Sequence, residues 1–229
     1  MKLASVDFVN LQTTIVNPLP LAVAAGQINN DAHTDVLLLV GAPSGTTSFG
    51  YWITGGAPTV GLPSGPPLTG QFSTLPASAT VVALGNLDSD PLPDAVFALN
   101  PGATQSGQVM VYLNQTALTA PVISWDQTKP ITSPTKYAPS ALAVADYNGD
   151  GVNDILYASL DGVHVLINQL SAGKPTFTDY LVYLAPSGGW GVSSLVAVDF
   201  SADSRPDVIV ADGQNHAVLL LENSCTALP

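Results

Sequence analysis

Short apolar runs alternate with oxygen-rich interruptions along this chain, and the same alternation returns four times. Its fullest form is Leu142 to Asn168, LAVADYNGDGVNDILYASLDGVHVLIN. The apolar run Leu142-Ala143-Val144-Ala145 gives way to Asp146, Asn148, Asp150 and Asp154 at relative positions 1, 3, 5 and 9, with Gly149 and Gly151 between them. A second run starts at Ile155, and after Asp161-Gly162 a third extends from Val163 to Ile167. Such short runs, bounded by Gly and Asp, predict strand, loop, strand, tight turn, strand.

The frame recurs at Asn86, Asp88, Asp90 and Asp94, at Asp199, Ser201, Asp203 and Asp207, and at Gln27, Asn29, Asp31 and Asp35. Each copy follows one apolar run and precedes another. Successive copies start 59, 60 and 53 residues apart, and repetition of this kind outranks other signals because one unit then explains most of the chain. Helical periodicity is missing from every long stretch, so the expected class is all-β. Of the 16 Asp, 11 fall in these four loops, and the single Glu is Glu222. Solubilising charge would draw on Glu as freely, so this bias points to loops and ligation rather than helices.

Alternating oxygen side chains followed by a later carboxylate suit a curled loop around a hard cation. Calcium takes six to eight oxygens at about 2.3–2.6 Å. Gly149 and Gly151 permit the backbone angles of the curl. The main-chain carbonyl at position 7 completes each set: Val152, Leu92 and Arg205 in the three fuller loops, with His33 there in the first. An Asx-rich hairpin loop without metal is the other reading of the same spacing.

These words, Asp146-Tyr-Asn-Gly-Asp-Gly-Val-Asn-Asp154 and its three relatives, resemble the FG-GAP/VCBS repeats of integrin α-subunit heads and of many secreted bacterial and fungal proteins. The resemblance implies a β-propeller with one four-stranded blade per repeat and calcium between a blade's first two strands. Blade one is expected at about 20–75, blade two at 76–135, with Val122–Trp125 as its outer strand, and blade three at 136–190. Blade four takes 191–229 and lacks an outer strand, while the N-terminal segment, about 1–19, has one to spare. The expectation is a single domain, a ring of four blades closed by the N-terminal strand joining the last, where the family usually has seven. A half-ring pairing with a second copy, or a fragment of a longer array, is the alternative.

Composition narrows the partners. A formal charge of −12 with five basic residues leaves no stripe able to neutralise a phosphate backbone, which argues against nucleic acid. No apolar run approaches the length needed to cross a bilayer, so membrane insertion is not expected. Cys225 stands alone, so no disulfide framework is available. The resemblance points to an extracellular protein, and Asn114-Gln115-Thr116 reads as a glycosylation sequon. His33, His164 and His216 have no triad-like partners in view, and the carboxylates are spaced for one cation each, so a polysaccharide-active lyase or hydrolase is the least favoured reading and an enzyme is not expected. What remains is a calcium-stabilised binding or adhesion module for a glycan or protein, with Trp190 and Tyr137 as candidate stacking residues, or a self-associating structural protein.

Overall fold

The computed structural model describes residues 19–31, 33–41, 48–53, 68–71, 75, 79–102, 104–118 and 123–224. Among these there is no helix, and fifteen strands form four antiparallel meanders. Sheet one holds β1 (Leu19–Gly26), β2 (Asp35–Gly41), β3 (Ser48–Ile53) and β4 (Leu68–Gln71). Sheet two holds β5 (Ala79–Gly85), β6 (Asp94–Leu99), β7 (Gly107–Tyr112) and β8 (Ile131–Thr135). In sheet three, β9 (Ala141–Ala145), β10 (Asp154–Ser159), β11 (Gly162–Ser171) and β12 (Lys174–Leu184) follow the same order. Sheet four has only β13 (Val192–Val198), β14 (Asp207–Asp212) and β15 (Ala217–Leu221).

Second strands are apolar on both faces because both faces are covered. All of β6 and β10 is buried. Three clusters fill the spaces between consecutive sheets. Leu37 and Leu39 of sheet one meet Phe97 and Tyr112 of sheet two. On the other face of β6, Val96 and Ala98 meet Ile155 and Tyr157 of sheet three. Leu156 and Val165 then meet Val208 and Val210 of sheet four. First strands lie in sequence, β1 beside β5, β5 beside β9 and β9 beside β13. A cavity of about 390 Å³ is lined by all four of them, Leu21, Thr80, Leu142 and Ser194 among the lining residues.

Two sequence expectations are corrected here. The outer strand of sheet two is β8, not 122–125. Trp125 makes only an isolated bridge with Asn114 and its ring is buried in the first inter-sheet cluster. β8 reads Ile-Thr-Ser-Pro-Thr, and an edge strand tolerates the Pro134 that a central strand would reject. The sequon Asn114 is 2% exposed, with its amide nitrogen bonded to two backbone carbonyls, so a glycosyl group has no room there. The N-terminal strand expected in sheet four lies outside the described residues.

Candidate cation loops and the seams between sheets

Each Asp/Asn loop joins the first and second strands of its sheet, as the spacing predicts. In loop three the Asp146 carboxylate accepts from the amides of Gly149 and Asp150 through Oδ1 (2.8 and 3.1 Å) and of Gly151 through Oδ2 (2.9 Å). Asn148 Nδ2 donates to Asp150 Oδ2 (2.9 Å), and Asp150 Oδ1 accepts from the Val152 amide (2.8 Å). This curl needs left-handed backbone at positions 4 and 6, supplied by Gly149 (φ 77°) and Gly151 (φ 88°). Loop four takes the same path with Ala202 (φ 62°) and Ser204 (φ 70°), at about 1–2 kcal/mol of strain each. Asp199 there accepts from the amides of Asp203 and Ser204. Loop two has Pro91 at position 6 and curls differently: Asp88 and Asp90 accept from the amides of Asp90 and Leu92, and Asn86 Nδ2 donates to the Asp90 carbonyl. In loop one Asn29 Nδ2 donates to Asp31 (3.0 Å).

The position-9 residues do something the spacing alone does not reveal. Asp35, Asp94, Asp154 and Asp207 are all 0% exposed. One oxygen of each accepts from the amide at position 2: Ile28, Leu87, Tyr147 and Phe200. In sheets two to four the other oxygen accepts from the backbone amide of an Asn, Asn114 and Asn223 just past the third strand and Asn168 within it, each at 2.8 Å. Position 9 thus fastens a loop to its own sheet.

Those asparagines then fasten each sheet to the one before. Asn114 Nδ2 donates to the Ile28 carbonyl (2.9 Å), Asn168 Nδ2 to the Leu87 carbonyl (2.7 Å) and Asn223 Nδ2 to the Tyr147 carbonyl (2.8 Å). The acceptor is always position 2 of the preceding loop. Its side chain enters the same seam: Ile28 and Leu87 are 0% exposed and Tyr147 7%. The sequence marks Asn114 only as a sequon, and Asn168 and Asn223 not at all.

Electrostatics differ between loops. Burial pushes Asp94 up to about 7, helped by repulsion from Asp88 and Asp90, and against amide bonds from Asn114 and Leu87. Burial likewise lifts Asp154 to about 6, with Asp150 adding repulsion, and raises Asp88. In loop four the Arg205 guanidinium sits on Asp203 (2.7 Å) and holds its carboxyl below the usual range. The Asn223 amide does the same for Asp207.

These loops fit calcium by the chemistry of their donors, which are all hard oxygens. One buried atom supports the fit directly: Asn86 Oδ1, at position 1 of loop two, is shielded from solvent and has no hydrogen-bond partner. Repulsion among the loop carboxylates is also what a divalent ion would relieve. Among the described residues no three acidic, His or Cys side chains converge as a ready-made metal group.

The aromatic candidates sit elsewhere. Trp190 is 4% exposed, its indole N–H donates to the Ser159 carbonyl (2.8 Å), and it packs in the seam between sheets three and four. That ring has no open face for a sugar. Tyr137 is half-buried, with Lys136 Nζ 5.0 Å from its ring centre. The side chain of Trp52 lies outside the described residues.

His164, which has no triad-like partner in the sequence, lies on β11. It is 6% exposed, and both ring nitrogens lie 3.1 Å from a carboxylate, Nδ1 from Asp179 and Nε2 from Asp161. Tyr157 stacks on it at 4.7 Å and donates to Asp179, while Lys136 pairs with Asp161. When protonated, the ring donates to both carboxylates and keeps no lone pair for general-base work.

The FG-GAP-like repeat profile matches residues 86–157 and 146–210, together more than half of the chain. The chain therefore belongs to the FG-GAP-like repeat family. No curated protein matches it.

Proposed function

We propose that the chain is an extracellular binding or adhesion module built as a four-bladed β-propeller, its loops stiffened by calcium. Each sheet is one blade, and the N-terminal segment supplies the outer strand that sheet four lacks. The observation that carries the reading is the partnerless Asn86 Oδ1 in a loop where burial, with repulsion from Asp88 and Asp90, raises Asp94. In this reading Asp146, Asn148, Asp150 and Asp154 hold one ion with the Val152 carbonyl. Asn86, Asp88, Asp90, Asp94 and the Leu92 carbonyl hold a second. Asp199, Ser201, Asp203, Asp207 and the Arg205 carbonyl hold a third, and Asn29, Asp31 and Asp35 form a weaker fourth set. Calcium here supplies charge neutralisation and rigidity, not catalysis.

The ligand is a glycan or a protein, met by the end of the molecule opposite the loops. That end carries the turns between second and third strands. Thermal unfolding in calcium and in chelator tests the metal: the midpoint rises in calcium, and Asp146→Ala and Asn86→Ala reduce the rise. Equal midpoints in the two conditions would sink the calcium reading. A glycan array tests the ligand class, and a silent array at high protein concentration leaves protein ligands.

A further inference from the structure

The first strands share an irregularity near their starts, and in each sheet it falls on the wall of the cavity between them. Leu21 is an extra residue between the paired positions Pro20 and Ala22, Thr80 between Ala79 and Val81, and Ser193 between Val192 and Ser194. In sheet three Ala141 pairs with Ala158, and the Ser140 N–H donates to the same Ala158 carbonyl (2.8 Å). Leu21, Thr80, Ser140 and Ser193 each stand six residues before position 1 of their loops, and all four line the cavity of about 390 Å³. A bulge bends its strand and re-aims a side chain, and bulges gather beside functional sites for that reason.

The wall built this way is more polar than the fold requires. The first strands are otherwise apolar, as in Val81 to Leu84 and Leu142 to Ala145. At the bulge three of the four residues carry a hydroxyl, Ser194 adds another, and Asn100 just past β6 adds an amide. Much of their hydrogen-bonding capacity is unused. Thr80 Oγ1 is shielded from solvent and has no partner. The Ser140 and Ser193 hydroxyls donate only long bonds, to the carbonyls of Ala158 (3.3 Å) and Ala211 (3.4 Å), and keep their acceptor lone pairs. Asn100 Oδ1 accepts from the Gly102 amide (3.0 Å), while its Nδ2 donates to no described residue.

No residue of the wall is ionisable. In a chain of net charge −12 this disfavours an anion, and with no carboxylate in the wall nothing holds a cation. Leu142 and Leu195, both buried, supply apolar surface beside the hydroxyls. Groups that donate and accept, set against leucine side chains, match a molecule with a rim of hydroxyls and faces of C–H. The volume falls within the range of about 300–1,000 Å³ usual for small-ligand sites. We infer that this cavity binds the end of a neutral saccharide, one without carboxylate, sulfate or phosphate. This rests on the binding reading above, and gives it a ligand class and a seat at the end of the molecule opposite the Asp/Asn loops.

The test is saturation-transfer NMR on the full chain in calcium, with free glucose, mannose, galactose and N-acetylglucosamine, and with galacturonic acid as the charged counterpart. At least one neutral sugar is expected to receive saturation, and galacturonic acid none. Ser193→Leu gives sheet four the residue that sheet one already carries at this position, so the fold tolerates it, and the signal is lost because the cavity is obstructed. Thr80→Val keeps the side-chain shape and removes one hydroxyl, so affinity for the sugar falls about three- to tenfold. The unliganded Thr80→Val chain melts no lower than the wild type, because the hydroxyl it lacks had no partner. Silence from every neutral sugar, a preference for galacturonic acid, a signal that survives Ser193→Leu, or an affinity untouched by Thr80→Val each overturns the cavity site. A glycan array separates that failure from failure of the wider reading. Array binding by a chain that takes up no free sugar removes the cavity and leaves the glycan module standing, and silence in both removes the two together.

Discussion

The seam between sheets two and three and the Phe200 side of sheet four are built from the same repeat, yet behave as opposites. At the seam, Leu87 is fully buried, its carbonyl takes the Asn168 amide, and Asn153 adds a bond to the Asn86 carbonyl. At the end, Phe200 occupies the Leu87 position and stands in solvent. Position 9 registers the contrast. Asp94, closed in by the next sheet, is dominated by desolvation and rises to about 7. Asp207 makes the same amide bonds, and these, led by that from Asn223, hold its carboxyl below the usual range. Desolvation and neighbouring carboxylates thus compete with the amide bonds at position 9, and the balance differs from repeat to repeat.

The largest expected effect separates these regions directly. Asn168→Ala leaves the Leu87 and Asn153 carbonyls buried without a donor, at about 1–3 kcal/mol each. Chemical denaturation should show a clear loss of stability, whereas Phe200→Ser at the end changes it by less than about 0.5 kcal/mol. Equal effects would mean that the Asn bonds are incidental to the packing.

Close approach gives the next test. Gly85→Ala drives a methyl into Val144 and is expected to cost about 1–3 kcal/mol, while Val198→Ala at the equivalent place in sheet four is nearly silent. A tolerated Gly85→Ala would show that the seam has slack.

The smallest effect concerns a site away from the seams. Burial alone would pull His164 down, but bonds to Asp179 and Asp161 outweigh it and raise its pKa above 6.5. The folded state therefore holds that proton more tightly. Its contribution to stability is complete below the unfolded value and is lost as pH rises through the raised one. Melting temperature should decline as pH rises from about 6 through the raised pKa, and His164→Gln should flatten that slope. Hydrogen exchange would show β12 loosening first, with the seams unmoved. A slope unchanged in the variant would assign it to other groups.

Much of this was readable from the residues. The loops and their flanking strands follow from Asp and Asn at fixed local spacing, which a linear frame detects. The asparagine fasteners escaped for a physical reason: they lie 20, 14 and 16 residues past position 9, because the intervening hairpins differ in length. Only strand register aligns them. β8 escaped because an edge strand is held by backbone pairing and needs no apolar run. Trp190, a candidate stacking residue in the sequence, stands between Gly189 and Gly191 on the path into sheet four, and its ring fills the seam behind. His164 looked inert because its two carboxylates come from a turn and from a strand 15 residues away.

The amide fasteners all reach backward, from a finished hairpin to the loop made before it. A polypeptide leaving the ribosome can therefore secure a repeat only after the next one has emerged, so assembly runs in one direction like a ratchet. Fraying should run the opposite way, starting at β13–β15 and peeling toward the N-terminal sheets.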